Sequence, residues 1–223
     1  MIRLDKSVDL TNVSFDGFVR FIFDRNPSPG STSVHDRHPW YFHADVTFGS
    51  ETVCAHYVKL FLAPEFLVTR YTKAQLEEGF WAVQGPNLKC SAYSIIFESD
   101  ATLSSRKECI RSMTQLFERL FVAEPLDTSV QMWWDSFCYD WQCGNRKRER
   151  GGDDMELQDV LFETLSRVLA TESEICQAAA LHGLGHLRHP LTRDLIDAFL
   201  REHSSLTPAQ IEHARSAARF DIL

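Results

Sequence analysis

The chain has 223 residues, of which 44% are hydrophobic and 24% charged, and its formal net charge is −8. These proportions are close to those of globular proteins and exclude a disordered chain or a fibrous repeat. General nucleic-acid binding requires clustered Lys and Arg, so the acidic balance argues against it and favours a basic protein partner. We expect a single domain over residues 1–223.

Apolar side chains recur at helical spacing along most of the chain. The pattern predicts about ten helices, each burying one stripe. In chain order, the clearest stripes are Phe15, Phe18, Val19 and Ile22; Val53, Tyr57, Leu60 and Phe61; Leu76, Phe80 and Val83; Ile110, Met113, Phe117 and Leu120; Val130, Trp133, Trp134, Phe137 and Trp141; and Leu157, Val160, Leu161, Leu165 and Val168. The best strand candidate, residues 90–98, does not alternate cleanly and also fits a short helix.

Residues 25–50 form the longest stretch without helical periodicity, and they are rich in Pro, Ser and His. Long loops in compact proteins are often functional, although a plain connector is the alternative. We expect Trp40 and Tyr41 to cover an exposed edge of the helices or to contact a partner.

Four Ser/Thr-x-x-Glu/Gln boxes predict helix starts, because the hydroxyl and the acid or amide satisfy backbone donors that the first turn leaves unpaired. They begin at Thr72, Ser105, Thr171 and Thr207, the last reinforced by Pro208. The four positions fall near multiples of one helix-pair length, which hints at a repeat.

Three of the five tryptophans lie in residues 132–141, MWWDSFCYDW. Core packing is the first interpretation of this cluster. The alternative is a partner-binding surface that includes Trp133, Trp134 and Asp135, because aromatic side chains are enriched at interface hot spots. Asp135 also suggests a catalytic carboxylate, but the chain carries no G-x-S-x-G, P-loop or dinucleotide motif, and we assign no catalytic residue and no cofactor.

The only basic cluster, RKRER at residues 146–150, lies beside two Gly and two Asp residues, and we expect a solvated loop there. The chain has no apolar run of the roughly 20 residues that cross a bilayer and no signal-peptide pattern at its start. We therefore expect a cytoplasmic protein without membrane contact. Its six scattered cysteines are expected to be reduced and mostly buried.

Residues 176–190, CQAAALHGLGHLRHP, place His182 and His186 on one helix face. Gly183 and Gly185 each cost such a helix roughly 1 kcal/mol relative to Ala. Close approach of neighbouring helices is the natural compensation, and it makes the histidines incidental. The alternative is a metal site of His182, His186 and His189. It lacks the Glu of H-E-x-x-H, since Gly183 holds that position, and Pro190 biases His189 out of helical geometry.

Residues 172–203 form a small-residue helix, a turn ending in Pro and a second helix with a Leu/Ile/Phe stripe, and this pair resembles a HEAT repeat. Such pairs are clearest in residues 155–220. The strings FIFDRNP, QLEEGFW, MWWD and ALHGLGHL resemble an uncharacterised group of bacterial HEAT-like proteins. The resemblance implies an all-α, HEAT-like helical-pair array, either an α-solenoid or an irregular α-α bundle, and carries no activity.

Two functions follow from these features. The first is a non-enzymatic helical scaffold that binds a protein, most concretely a bacterial immunity or antitoxin-type inhibitor, because helical arrays expose extended faces and acidic surfaces attract basic partners. The second is a metal-dependent enzyme that uses His182 and His186. The sequence does not indicate an oligomeric state.

Overall fold

A computed structural model describes residues 7–25 and 39–222. The helices in these ranges are α1 (Phe15–Phe23), α2 (Ser50–Leu62), α3 (Leu67–Arg70), α4 (Lys73–Gln84), α5 (Ala92–Phe97), α6 (Leu103–Leu116), α7 (Trp133–Cys143), α8 (Gly152–Leu169), α9 (Glu174–Leu187), α10 (Thr192–Glu202) and α11 (Pro208–Arg219). Two short strands, β1 (Val8–Asp9) and β2 (Val46–Thr47), pair in parallel. The predicted all-α fold of about ten helices is confirmed.

The strand candidate at residues 90–98 is helical. Its central residues form α5, and the Ser91 hydroxyl caps this helix by accepting a hydrogen bond from the Ser94 backbone N–H. The cap explains why a short apolar segment without strict alternation becomes a helix, since it satisfies a donor that the first turn leaves unpaired.

Two of the four predicted capping boxes are confirmed and two are wrong. At Thr72 and at Thr207, the hydroxyl accepts a hydrogen bond from the backbone N–H of the Gln three residues later, and the side chain of that Gln accepts one from the Thr backbone N–H. Ser105 lies inside α6, and Thr102 accepts the bond from the Ser105 backbone N–H.

The box at Thr171 fails for a similar reason. The Thr171 hydroxyl donates to the Val168 carbonyl at the end of α8, while Ser173 accepts from the Cys176 backbone N–H and caps α9. Hydroxyl side chains also cap α1 and α5, at Ser14 and Ser91, and these positions do not follow the predicted spacing. The caps therefore do not test the repeat, and the HEAT-like resemblance stays a prediction.

The chain divides into two compact units, Met1–Cys109 and Ile110–Leu223. In the first unit α1 packs against α2 and α4, and α5 packs against α2 and α4. Its centre is aromatic: the Phe18 and Tyr57 rings meet edge to face at 5.0 Å, and Phe23 meets Phe80 at 5.1 Å. The predicted stripes of α1, α2 and α4 are buried apart from Phe15.

In the second unit α9 packs against α7, α8, α10 and α11. The predicted stripes of α7 and α8 are buried throughout. After α6 the chain continues through one π-helical segment, Phe117–Phe121, whose aromatic rings pack against Trp133 and Trp134. The second unit thus has a layer of packed aromatic side chains next to α7 and α9.

The aromatic residues within the predicted loop lie only partly at the surface. Residues 26–38 fall outside the described ranges, and Trp40–Phe42 form a single 3-10 turn. The Tyr41 side chain is buried, and burial raises its pKa to about 12. Trp40 packs against Phe21 and lies under the Arg25 guanidinium. These contacts anchor the turn to α1.

The basic cluster is a connection between helices, as expected, but only part of it is solvated. Lys147, Glu149 and Arg150 are exposed. Arg146 is mostly buried and pairs with Asp140 of α7 and Asp154 of α8, and Arg148 pairs with Asp159. Acidic side chains of two helices therefore hold the connection between α7 and α8.

Within the described ranges, none of the helices has the length and hydrophobicity required to span a bilayer. All six cysteines are free thiols, and five of them are buried, as predicted.

Candidate metal centre

Gly183 brings α9 into close contact with two neighbouring helices. A β-carbon added to this residue would lie 2.5 Å from the Trp134 β-carbon in α7 and 3.0 Å from a methyl group of Leu165 in α8. The same holds at Gly185, where an added β-carbon would lie 2.6 Å from Ile222. The prediction that small residues in this helix permit close packing is confirmed.

The close approach of α7 and α9 brings three metal-ligating side chains together. Asp135 follows Trp134, and His182 precedes Gly183, so the contact between the two helices places the carboxylate beside the imidazole. His182 Nε2 lies 2.7 Å from Asp135 Oδ1 and 2.9 Å from His186 Nε2, and His186 Nε2 lies 3.6 Å from the same carboxylate oxygen. In residues 7–25 and 39–222 this is the one group of three or more His, Cys, Asp and Glu side chains with such convergent donor atoms.

Two of the three separations are shorter than those around a bound ion, and the third is longer. Donor atoms at about 2.0–2.1 Å from a tetrahedral ion lie about 3.3 Å from one another. The observed distances of 2.7, 2.9 and 3.6 Å bracket this value. The three donor atoms therefore lie close together, and small shifts of the side chains would give them the spacing of ligands around one ion.

The carboxylate oxygen at the centre of the group is unsatisfied. Asp135 Oδ1 is buried and accepts no hydrogen bond from any described residue, despite its short distance to His182. A buried acceptor without a donor costs free energy on the order of 1–3 kcal/mol. A cation bound between the three side chains would satisfy it.

Gln142 sets the orientation of the His186 ring. Its side-chain oxygen contacts His186 Nδ1, which therefore carries the hydrogen and donates it. The Nε2 lone pair then faces the cluster, as a metal ligand requires. Burial, followed by the nearby charge of His182, lowers the pKa of His186 to about 4, so this imidazole is neutral at neutral pH.

His213 of α11 lies behind His182, with ring centroids 6.4 Å apart. Burial lowers its pKa, and the charge of His182 lowers it further. Both rings line a pocket of about 450 Å³ that also borders Gln131 and Met132, just before α7. The group of Asp135, His182 and His186, here called the metal cluster, therefore borders on a cavity of the size that small molecules occupy.

His189 does not belong to this cluster, so the predicted ligand set His182, His186 and His189 is wrong in one member. His189 Nε2 lies 3.0 Å from Asp159 Oδ1, its ring stacks on Phe162, and its Nδ1 accepts from the Leu191 backbone N–H. Arg188 ends α9 in a left-handed conformation, which turns the chain away before His189 is reached.

The aromatic residues proposed for partner binding are largely in the core. Trp133 and Trp134 have no exposed surface, and Tyr41 is 8% exposed. Their rings are therefore closed to a partner in this conformation. Asp135 and Trp40 are partly exposed, and Asp135 belongs to the metal cluster.

Three roles in the site were not predicted from the sequence. Asp135 was considered as a catalytic or partner-binding carboxylate, but not as a partner of His182. Gln142 and His213 were not considered. The only sequence signal was indirect: glycine beside His182 implied a close neighbour but did not identify it.

No family model matches the chain, and no curated protein or solved structure shows significant similarity to it.

Proposed function

We propose that the protein binds one divalent first-row transition-metal ion through Asp135, His182 and His186. The ion would act as a Lewis acid on a small molecule held in the neighbouring pocket. The observation that carries the proposal is the convergence of two imidazole nitrogens on a buried carboxylate oxygen that accepts no hydrogen bond. The function is that of a metal-dependent enzyme, and it departs from the expectation that the protein has no cofactor.

The competing interpretation is a hydrogen-bonded histidine pair. A His182 Nε2–H could donate to His186 Nε2 across their 2.9 Å separation, which would satisfy both rings. It would leave Asp135 Oδ1 buried without a donor. The metal interpretation accounts for all three side chains, whereas the contact of Gln142 with His186 fits both interpretations.

The donor set limits the choice of ion. Two imidazoles and one carboxylate suit Zn²⁺, Fe²⁺ and Co²⁺, whereas Mg²⁺ and Ca²⁺ prefer oxygen donors. Cys138 is not among the side chains that converge on this point, so the donors are nitrogen and oxygen. Three protein ligands leave at least one coordination position open, as catalytic sites do.

Such an ion lowers the pKa of a coordinated water and polarises a carbonyl group. The chain itself would supply the proton acceptor. Gly183 stands where a zincin has its glutamate, so a base must come from elsewhere. His213 is the candidate because it lines the pocket beside His182 and its lowered pKa leaves it neutral at neutral pH.

The test is metal analysis of tag-free protein, followed by titration of the chelator-treated protein with Zn²⁺ and Co²⁺ and, without oxygen, with Fe²⁺. We expect one equivalent in the wild type and a loss of affinity of more than about 100-fold in Asp135→Asn, His182→Gln and His186→Gln, because each removes a direct ligand.

His203→Gln is the matched control, since its ring contacts the Phe199 carbonyl at the end of α10. Circular dichroism reports whether each variant folds. Absence of stoichiometric binding by all three ions, or equal affinity in folded ligand variants and the control, would overturn the proposal.

A protein-binding scaffold, including a bacterial immunity or antitoxin-type inhibitor in the cytoplasm, is the second proposal. Burial of Trp133 and Trp134 removes its aromatic support. What favours it is the net charge of −8 together with large exposed apolar side chains such as Tyr139 and Leu191. Affinity capture tests it: one stoichiometric basic partner would support it, and repeated failure together with metal-dependent activity on a small molecule would overturn it.

A further inference from the structure

The pocket beside the metal cluster has a distinct chemical lining. Its apolar wall comes from side chains of α9, α10 and the connection to α11, chiefly Leu181, Phe199 and Leu206. The neutral amides Gln131 and Gln177 also line it. Such a wall suits an uncharged, largely apolar ligand body.

The ionisable groups of the lining are few and unevenly placed. They are His182, His213 and Glu174, and neither Lys nor Arg is among the lining residues. A phosphate or another anion would meet no cationic side chain there. The only formal charge that the lining offers to a ligand, apart from the histidines, is the negative charge of Glu174.

The two chemically active ends of the pocket are set apart along one helix. Glu174 and His182 both lie on α9, eight residues apart, which corresponds to about 12 Å along the helix axis. Glu174 is exposed at the start of α9, whereas His182 is a member of the metal cluster. A ligand that spans the pocket would therefore meet the ion at one end and a carboxylate at the other.

On the basis of the proposed metal function, we propose that the pocket selects a compound with an uncharged carbonyl group, an amide or an ester, whose apolar chain ends in a cationic amine. The carbonyl oxygen coordinates the ion at His182, the chain lies against Leu181 and Phe199, and the ammonium group approaches Glu174. Compounds whose far end is a carboxylate or a phosphate are disfavoured, because no basic side chain lines the pocket and Glu174 lies at that end.

The experiment uses the full chain loaded with Co²⁺, whose visible absorption changes when a ligand coordinates. Three hydroxamate probes share the coordinating head and the chain length but differ at the far end: aminocaproic hydroxamate carries an ammonium, caproic hydroxamate a methyl group and adipic monohydroxamate a carboxylate. We expect the ammonium probe to bind about three-fold more tightly than the methyl probe and the carboxylate probe more weakly, as an exposed charge pair permits.

Glu174→Gln should abolish the preference for the ammonium probe and leave the affinity of the methyl probe unchanged. Glu172→Gln is the matched control, because it makes the same charge change on an exposed residue outside the pocket lining and should keep the preference.

Four results would overturn the inference. Equal affinity of the wild type for all three probes removes the selection of amines, and so does an unchanged preference in Glu174→Gln. If none of the probes changes the absorption of bound Co²⁺, the ion does not contact ligands in the pocket, although the proposed metal site remains. Absence of binding by Co²⁺, Zn²⁺ and Fe²⁺ alike overturns the proposed function, and this inference with it; if Zn²⁺ binds and Co²⁺ does not, the same three probes are compared by calorimetry on the Zn²⁺-loaded protein.

Discussion

Gly183 and Trp134 are in such close contact that any side chain at position 183 would force Trp134 or its helix to shift. An added β-carbon would lie 2.5 Å from the Trp134 β-carbon and 2.9 Å from its Cγ. These atoms belong to the rigid base of a side chain that has no exposed surface, so they cannot move aside cheaply. The residues next to this contact, His182 and Asp135, are the ones whose side chains meet at 2.7 Å. Packing and the metal cluster thus depend on the same helix crossing.

Gly183→Ala is expected to destabilise the protein by about 1–3 kcal/mol, because overpacking outweighs the roughly 1 kcal/mol that alanine contributes to helix propensity. Urea denaturation measures the change in the free energy of unfolding. Gly49→Ala is the control, since its β-carbon would meet Thr52 only at an ordinary 3.5 Å. A Gly183→Ala variant as stable as the wild type would mean that α7 and α9 are not in this contact.

Gln142 is expected to control metal affinity without touching the ion. Gln142→Ala removes the acceptor of the His186 Nδ1 hydrogen, and losses of 10–100-fold in metal affinity are typical of such changes. Gln142→Glu keeps an acceptor at the same place and should restore most of the affinity. Zn²⁺ titration of the folded variants measures both. Equal affinity in Gln142→Ala and the wild type would contradict the assigned role.

The stability of the metal-free protein is expected to fall in acid because of His186. Burial lowers its folded-state pKa to about 4, while the unfolded chain titrates near 6.5. Between these values the unfolded state binds a proton that the folded state does not. The contribution of His186 to the free energy of unfolding is on the order of 3 kcal/mol. It is therefore fully present above about pH 6.5 and is lost as the pH falls towards 4.

The groups that act on this ring are His182, Asp135 and Arg188, and His213 has its own lowered pKa in the same pocket wall. Urea denaturation in the presence of a chelator, repeated from pH 7 to pH 4, measures the slope. His186→Gln should show a shallower slope, and the remaining slope comes from other groups with a lowered pKa, among them His189 and His213. In the wild type, NMR should find the His186 ring neutral at pH 5, and a ring already protonated there would refute the prediction.

His189→Gln tests whether His189, which follows the end of α9, is independent of the proposed metal ligands. Its Nε2 donates to Asp159, and its ring stacks on Phe162, so the substitution should lower the free energy of unfolding by about 1–2 kcal/mol. Metal stoichiometry and affinity should stay at wild-type values. A loss of bound metal in this variant, with folding retained, would restore His189 to the ligand set.

The sequence predicted local features better than the contacts between distant residues. Thr72 and Thr207 cap their helices as predicted, because a capping box is complete within four residues. The box at Thr171 failed because the end of α8 competes for the same hydroxyl. His182 and His186 were correctly placed on one face, since helical spacing determines it. Asp135 comes from another helix, and its position depends on how α7 crosses α9.

The central claim is that Asp135, His182 and His186 hold one ion, and anomalous X-ray diffraction from crystals of the Zn²⁺-loaded protein tests it most directly. We predict a single strong anomalous peak, at about 2.0–2.2 Å from Asp135 Oδ1 and from the Nε2 atoms of His182 and His186. Crystals of the loaded protein with no peak between these atoms, and with His182 Nε2 still in contact with His186 Nε2, would contradict the account.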